Sequence, residues 1–362
     1  MKPAKKIRVL IADDSSVARE MLRAVLEEQD DIEVIAEATN GKEAVELTQQ
    51  LRPDLVTMDL NMPVMNGVKA IEHIMHQKAV PILVVSSETD AELACEALYH
   101  GALDAINKPS FNPEEMDYLV QRVRLLSGVP VITRIQRCNL IRPTTPSLTS
   151  VAVIIPSVKQ ADQPIFAIAA STGGPKALAN LLSELPANFA APIIIAQHIS
   201  NGFIEGMAQW LSGVCLLPVK VAEEGELLVA GTVYLSPSEQ HLTLTADFKV
   251  KLKQRAEQDI YHPSCDEMLV SAAQIYGKNA VGIIMTGMGR DGTLGMTQIY
   301  EQGGVTLAQD EASSVIYGMN AEAVNAGVIH LELPLSKLAG EMLKILQLKP
   351  ATYLTALRRI SL

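Results

Sequence analysis

The sequence predicts an α/β protein built from two sheet-containing modules. Short apolar runs rich in Val and Ile alternate with segments of helical apolar spacing, a pattern typical of parallel sheets covered by helices. A length of 362 residues suits two or three domains. The net charge is −9 over residues 1–126 and −2 over residues 127–362, and this change in composition indicates two modules with different roles.

The first module, residues 1–126, is predicted to be a (βα)5 domain with one parallel sheet and helices on both of its faces. Each of its five apolar strands is followed by an amphipathic helix. The expected strands are IRVLIADD, IEVIAEA, PDLVTMD, PILVVSS and DAINKP, and the expected helices are SSVAREMLRAVLEE, GKEAVELTQQL, VKAIEHIMH, DAELACEALYH and EEMDYLVQRVRLL.

Residues 127–163 interrupt this alternation and are predicted to be a linker. The segment contains four prolines and a Ser/Thr cluster, and most of its charged residues are basic. The two modules are therefore expected to be joined by this stretch of chain.

The second module, residues 164–362, is predicted to be a doubly wound, mostly parallel α/β domain. Its expected strands are PIFAIAAS, APIIIAQH, NAVGIIMTG and GVTLAQD, and its expected helices are PKALANLLSEL, GFIEGMAQWLSGV, DEMLVSAAQIYG and DGTLGMTQIYEQG. Four shorter strands near residues 219–253 have hairpin-like spacing, which predicts an antiparallel insertion. Residues 348–362 are interpreted as a short tail without an assigned role.

Composition excludes several classes of protein. No apolar run approaches the roughly 18 residues that a membrane span needs, and no long apolar segment precedes the first acidic pair. Four widely spaced cysteines suit reduced thiols in a cytoplasmic protein. A net charge of −11 argues against nucleic acid as a partner, and the second module contains no basic recognition helix.

Polar side chains follow four strands of the first module. Asp13 and Asp14 end the first strand, Asp59 the third, Ser86 the fourth and Lys108 the fifth. Since ligands bind at the carboxyl ends of parallel strands, these groups are expected to converge on one pocket. Repulsion among three carboxylates calls for a cation, and oxygen ligands suit Mg²⁺. The pocket thus predicts a nucleophilic Asp59 that forms an aspartyl phosphate, with Lys108 and the metal neutralising the transferred charge.

The segments IADDSSVARE, MDLNMPVMNG, VVSS and NKP resemble the response-regulator receiver domain over essentially all of residues 7–126. The resemblance implies that Asp59 accepts a phosphoryl group from a histidine kinase. It also implies that Mg²⁺ is held by Asp14, Asp59 and the backbone carbonyl of Asn61, with assistance from Asp13. The residues implied to contact the phosphoryl group are Ser86 and Lys108.

The second module places Ser171, His198 and Asp291 at the carboxyl ends of three expected strands. A nucleophile, a general base and an orienting carboxylate can meet at such an edge. Ser171 lies in the strand-to-helix turn AASTGGP, which by itself could equally bind a phosphate or cap a helix. Their order along the chain differs from that of α/β-hydrolases. The backbone N–H groups of Thr172 and of the Met288–Gly289 turn are candidate donors to an oxyanion.

The segments AIAASTGGP, QHISNGF, HPSCDEML, TGMGRDG and AQDEASSVIYGMN resemble the catalytic domain of the chemotaxis protein-glutamate methylesterases, over about residues 164–347. The resemblance implies hydrolysis of glutamate methyl esters on methyl-accepting chemoreceptors, with release of methanol, and deamidation of receptor glutamines. It implies activation by phosphorylation and no cofactor in the esterase domain. The sequence departs from the family at Ala169, where glycine is common, and at Ser200 and Asn201, where prolines are usual.

Two other functions remain open from the sequence. One is a signalling adaptor whose second module binds a partner without catalysis. The other is a serine hydrolase that acts on a different ester or amide.

Overall fold

The computed structural model describes residues 5–110, 112–131, 163–256, 259 and 261–360. These residues form two compact units, each with a parallel sheet of its own. Most of the predicted linker, residues 132–162, lies outside the described residues. The first residue of that predicted linker, Ser127, belongs to the last helix of the first unit.

The first unit is a five-stranded parallel sheet, as predicted, and its strand order is β2-β1-β3-β4-β5. Its strands are β1 (Ile7–Ala12), β2 (Ile32–Ala38), β3 (Leu55–Met58), β4 (Ile82–Ser86) and β5 (Asp104–Asn107). Its helices are α1 (Ser16–Glu27), α2 (Gly41–Leu51), α3 (Gly67–Gln77), α4 (Ala91–His100) and α5 (Pro113–Ser127). Helix α1 packs beside α5, whereas α2, α3 and α4 form a row.

The helices of this unit begin where the sequence supplies side chains that cap them. Ser15, Asn40, Asn66 and Asn112 each accept a hydrogen bond from a backbone N–H in the first turn of α1, α2, α3 and α5. A cap of this kind stabilises a helix by about 1 kcal/mol because it satisfies a donor that the helix leaves free. The caps fix where each helix starts, and so fix the loops that follow the strands.

The second unit is built on a seven-stranded sheet with strand order β14-β13-β12-β6-β7-β9-β8, in which every neighbouring pair is parallel. Its strands are β6 (Ile165–Ala170), β7 (Ile193–Gln197), β8 (Val219–Val221), β9 (Val233–Leu235), β12 (Ala280–Ile284), β13 (Val305–Gln309) and β14 (Leu331–Leu333). A separate two-stranded antiparallel sheet contains β10 (Gln240–Leu244) and β11 (Val250–Gln254).

The helices of the second unit are α6 (Gly174–Ser183), α7 (Ile204–Val214), α8 (Cys265–Tyr276), α9 (Thr293–Glu301), α10 (Met319–Asn325), α11 (Leu335–Leu348) and α12 (Pro350–Ile360). The strands β6, β7, β12 and β13 are buried along their whole length. Such strands read as continuous apolar runs, which explains why the sequence revealed all four.

The predicted antiparallel insertion is only half as long as expected. Residues 240–254 form the antiparallel pair, but β8 and β9 are parallel and extend the main sheet. Residues 222–232 connect β8 to β9. A connection of this length brings the chain back to the end of the sheet where β8 begins, so that β9 runs parallel to β8, whereas a tight hairpin would make the two strands antiparallel.

The interpretation of residues 348–362 as a tail is wrong for residues 350–360, which form α12. Tyr353 and Leu354 are buried, and the Tyr353 hydroxyl donates a hydrogen bond to Glu341 Oε1 at 2.7 Å. The helix packs against α11 through these contacts. Among the described residues, none of the helices has both the length and the apolar character needed to cross a membrane.

Candidate active site and acidic pocket

Strands β1 and β3 place three carboxylates together in the first unit. Asp13 and Asp59 follow these two strands and are buried, whereas Asp14 is exposed. One carboxylate oxygen from each residue lies within 4.8 Å of the other two. The structure thus brings together the three acidic residues that the sequence placed at this edge of the sheet.

The ammonium group of Lys108 balances part of this negative charge. Lys108 Nζ lies 2.7 Å from Asp13 Oδ2 and 3.2 Å from Asp59 Oδ1. Burial alone would lower the pKa of Lys108, but the hydrogen bonds and charges of the two carboxylates raise it. The lysine is therefore held protonated beside the predicted acceptor carboxylate.

The surroundings of Asp59 disfavour the charged form of its carboxyl group. Burial, with a further contribution from the charge of Asp13, raises its pKa despite the opposing charge of Lys108. Three clustered carboxylate oxygens and one ammonium leave excess negative charge in a poorly solvated pocket. This oxygen-rich donor set fits a small divalent cation such as Mg²⁺.

Sequence reasoning missed Asp90, which accepts hydrogen bonds from two of the predicted pocket residues, Ser86 and Asn61. Ser86 Oγ donates hydrogen bonds to Asp90 Oδ2 at 2.8 Å and to Asp59 Oδ1 at 3.4 Å. The amide of Asn61 also donates to Asp90. Asp90 lies just before α4, and only the folded loops bring it to the pocket.

In the second unit, Ser171 occupies a tight turn between β6 and α6. Its N–H donates to Thr286 O at 3.0 Å, and its own carbonyl accepts from Gly174 N–H at 2.7 Å. Gly173 has a φ of 79°, a left-handed conformation that favours glycine. The turn thus fixes the backbone of the predicted nucleophile at the start of a helix.

His198 and Asp291 form the pair that the strand ends predict. His198 Nε2 lies 2.8 Å from Asp291 Oδ2, and both side chains are largely buried. With Nε2 donating to the carboxylate, Nδ1 is the nitrogen left to accept a proton. Ser171 and His198 are both among the residues that the structure describes, and Ser171 Oγ makes no hydrogen bond to the His198 ring. Such bonds often tighten only when substrate binds.

The carboxylate of Asp291 is fixed by the start of α8. Its oxygens accept hydrogen bonds from the backbone N–H groups of Cys265 at 2.7 Å and Asp266 at 2.9 Å, and from the Ser264 hydroxyl at 3.2 Å. Burial alone would raise the pKa of Asp291, but its bond to His198 and these N–H donors hold it below the ordinary value. The orienting group is therefore held as an anion.

Asp266, in the first turn of α8, accepts N–H groups at the start of the next helix, α9. Its Oδ1 accepts N–H donors from Gly292 at 2.9 Å and Gly295 at 2.8 Å, at the start of α9. Burial, reinforced by the charge of Asp291, raises the pKa of Asp266 to about 6 despite these donors. Asp291, just before α9, thus binds the start of α8, and Asp266 in α8 binds the start of α9. This exchange of carboxylates between two helix starts could not be predicted from the sequence.

Gln197 is a second residue that sequence reasoning missed. Its buried amide donates to the carbonyl of Ser171 at 2.9 Å and to that of His198 at 2.8 Å. The side chain thereby ties together the two strand ends that carry the predicted nucleophile and base. It directly precedes His198, but nothing in the sequence shows that its amide turns back to Ser171.

The predicted oxyanion donors are located beside the nucleophile. A Cβ atom at Gly287 would lie 2.7 Å from Ser171 Cβ, so the glycine allows the 287–289 turn to approach the serine closely. Thr172 is buried, whereas the side chain of Met288 is half exposed. The role of the Thr172 and Met288 N–H groups stays a prediction.

Together, the two units define a class of protein, a response regulator whose receiver domain is joined to a parallel α/β esterase domain. The family model of the response regulator receiver domain matches residues 9–122, and that of CheB methylesterase matches residues 166–342. The chain belongs to the CheB family of methylesterases.

The relatives support this assignment over nearly the whole chain. A protein of Paramagnetospirillum magneticum named protein-glutamate methylesterase/protein-glutamine glutaminase 3 is 50% identical, with 95% of this chain and 97% of that protein covered. A protein of Myxococcus xanthus with the same enzyme name, number 4, is 41% identical, with 93% and 96% covered. A relative of that enzyme name from Pyrococcus abyssi is 35% identical, with 95% of each chain covered.

Proposed function

We propose that this chain is a phosphorylation-activated serine esterase that hydrolyses glutamate methyl esters on chemoreceptors and deamidates receptor glutamines. The observation that carries the proposal is the bond between His198 and Asp291 at the sheet edge where Ser171 lies in the turn before α6. The names of the relatives supply the substrate class.

In the first half of the reaction, Ser171 Oγ attacks the ester carbonyl while His198 Nδ1 takes the hydroxyl proton. Asp291 stabilises the imidazolium that forms. The tetrahedral intermediate collapses as the imidazolium gives its proton to the methoxy oxygen, so methanol leaves and an acyl-enzyme remains. The N–H groups of Thr172 and Met288 are the proposed donors to the oxyanion.

In the second half, water attacks the acyl-enzyme and gives a proton to His198. Collapse of the second tetrahedral intermediate returns that proton to Ser171 and releases a glutamate side chain. With a glutamine substrate the same steps release ammonia in place of methanol. Every group named in these steps comes from the esterase domain's own residues, and no cofactor is proposed for this domain.

The receiver domain is proposed to control this activity through a phosphoryl group on Asp59. Asp13, Asp14, Asp59 and the backbone carbonyl of Asn61 would hold Mg²⁺, whose charge favours transfer of the phosphoryl group to the carboxylate. Lys108 is already paired with Asp59 and would contact the phosphoryl oxygens, and Ser86 would leave Asp90 to do the same. The phosphodonor is proposed to be a chemotaxis histidine kinase, and the expected location is the cytoplasm.

The test is methanol release from receptor membranes that carry methylated glutamates. Wild type is expected to release methanol, and Ser171→Ala is expected to release none while keeping its circular dichroism spectrum. Turnover of small esters without release from receptors would favour a serine hydrolase of another specificity. An intact chemotactic response in cells that carry Ser171→Ala would favour the adaptor.

A further inference from the structure

A short stretch at the start of α8, residues 261–265, supplies several contacts to the catalytic pair. The Tyr261 ring stacks on the His198 ring, with centroids 5.2 Å apart and planes 11° from parallel. The Ser264 hydroxyl and the Cys265 N–H both bond to Asp291. The orientation of His198 and Asp291 therefore depends on where this stretch lies.

A second histidine–aspartate pair anchors the same stretch from behind. His241 Nε2 lies 2.9 Å from Asp259 Oδ2, and His241 Nδ1 accepts the N–H of Ser264 at 2.9 Å. Asp259 Oδ2 also accepts the N–H of Ala256 at 2.8 Å. His241 is 1% exposed, so both of its ring nitrogens are used inside the protein.

These hydrogen bonds fix the state of the His241 ring. Nδ1 is an acceptor, so the ring is neutral and carries its proton on Nε2, where it faces the Asp259 carboxylate. The hydrogen bond from His241 lowers the pKa of Asp259, with a further contribution from Ala256 N–H. The pair is therefore a fixed connection between strand β10 and the residues that precede α8.

Tyr261 also lies against the turn that carries a candidate oxyanion donor. A Cβ atom at Gly289, where φ is 93°, would lie 2.7 Å from the Tyr261 hydroxyl oxygen. Tyr261 thus lies close to both the His198 ring and the Met288–Gly289 turn. A shift of residues 261–265 would disturb the base, the orienting carboxylate and this turn together.

We propose that His241 and Asp259 are positioning residues for the esterase, which hold residues 261–265 so that His198 and Asp291 keep their reactive alignment. This inference rests on the proposed function for its catalytic readout. It assigns a purpose to the antiparallel β10–β11 sheet, whose first strand carries His241. A misplacement of catalytic groups by about 1 Å typically costs about a hundredfold in rate.

The experiment compares Asp259→Ala, His241→Ala and His241→Asn with wild type in the full chain. The Asp259 side chain is 31% exposed, so its removal leaves the core intact even where a change at His241 prevents folding. Asp247→Asn is the matched control, because Asp247 belongs to the turn of the same hairpin and pairs only with exposed groups. Each variant is assayed for kcat and KM of methanol release.

We expect kcat to fall about ten- to a hundredfold in Asp259→Ala and His241→Ala, with a smaller change in KM. His241→Asn is expected to lose less, since an asparagine oxygen can still accept the Ser264 N–H. Asp247→Asn is expected to match wild type. A kcat within twofold of wild type in folded Asp259→Ala and His241→Ala would overturn the proposal, even if the melting temperature falls.

A second readout needs no substrate and so separates this proposal from the proposed function. The low-field proton resonance of His198 Nε2, assigned with a His198→Gln variant, reports the bond to Asp291. It is expected to shift or disappear in Asp259→Ala and to stay unchanged in Asp247→Asn. An unchanged resonance in Asp259→Ala contradicts the positioning role, whereas a wild type that releases no methanol contradicts only the esterase assignment.

Discussion

The Asp291 carboxylate bonds to His198 and also accepts the first N–H groups of α8. The positive end of a helix stabilises a nearby anion. An aspartate placed in this way remains charged in a buried site and fixes the tautomer of its histidine. Asp291 follows β12 in the chain, and these contacts connect it to the start of α8, the helix that precedes β12.

Replacing Asp291 with asparagine tests this role. The asparagine oxygen can still accept the Asp266 N–H, but the amide would take the place of Oδ2, where it faces His198 Nε2 and the Cys265 N–H and favours the wrong tautomer. We expect kcat for methanol release to fall about 10³- to 10⁴-fold, by analogy with the orienting aspartates of other triads. Asp247→Asn is the control, and a loss of less than tenfold would contradict the orienting role.

Asp266 makes the stability of the second unit depend on pH. Its pKa is about 6 in the folded chain, above the ordinary value of 3.8. A carboxyl group with a raised pKa stabilises the fold below its ordinary pKa, and this stabilisation is lost as the pH rises through the folded value. The free energy of unfolding of wild type, relative to Asp266→Asn, should therefore fall by about 1 kcal/mol between pH 5 and 7.

Urea unfolding followed by tryptophan fluorescence measures this difference. Trp210 is the only tryptophan of the chain and lies in α7, so it reports on the second unit. Asp247→Asn is the control, because the hydrogen bonds of Asp247 to Thr245 and Lys249 lower its pKa and place its titration below this window. A difference between wild type and Asp266→Asn that stays constant from pH 5 to pH 7 would contradict the assignment.

At the scale of elements, strand ends could be predicted from the sequence and the contacts between helix starts could not. The strands before Asp13, Asp59, Ser171 and His198 are mostly apolar, as buried parallel strands require. The exchange between α8 and α9 joins segments that β12 separates in the chain. Its donors are backbone N–H groups, which every sequence contains, so no pattern of residue types reveals it.

Two other features escaped prediction for similar reasons, namely the parallel pairing of β8 with β9 and the helix α12. The short strands β8 and β9 have three residues each, too few to show whether their partners run parallel or antiparallel. Helix α12 buries only one side against α11, and its sequence contains both polar and apolar residues. In both cases the tertiary partner decides the structure, and the local sequence does not.

The close approach of the 287–289 turn to β6 gives a test at the same scale. Gly287→Ala would place a Cβ atom 2.7 Å from Ser171 Cβ and 2.4 Å from Met319 Sδ, so the turn or the nucleophile must move. We expect kcat to fall at least about tenfold. The measurement is steady-state methanol release at matched protein concentration.

Gly340→Ala is the control for that substitution. Gly340 lies within α11, and a Cβ atom there meets nothing within 4 Å. The alanine should raise the free energy of unfolding by about 0.5–1 kcal/mol and leave kcat unchanged. If Gly287→Ala retained wild-type kcat, the turn would not be constrained by the nucleophile.

At the scale of the whole molecule, the acidic charge is concentrated in the receiver domain. Part of this charge comes from Asp13, Asp14 and Asp59, whose clustered carboxylates form the proposed pocket for a cation and a phosphoryl group. Residues 164–362 carry a smaller net charge of −5, from 13 Lys and Arg against 18 Asp and Glu. In this domain, backbone N–H donors stabilise the carboxylates of Asp291 and Asp266.

Phosphorylation of Asp59 in the receiver domain is proposed to control hydrolysis at Ser171 in the esterase domain. The most direct measurement is the rate of methanol release from methylated receptor membranes for wild type, Ser171→Ala and Asp59→Asn, each with and without a small-molecule phosphodonor and Mg²⁺. We expect the phosphodonor to raise the wild-type rate, to leave the rate of Asp59→Asn unchanged and to produce no release from Ser171→Ala. A phosphodonor that leaves the wild-type rate unchanged, or raises that of Asp59→Asn equally, would contradict this expectation.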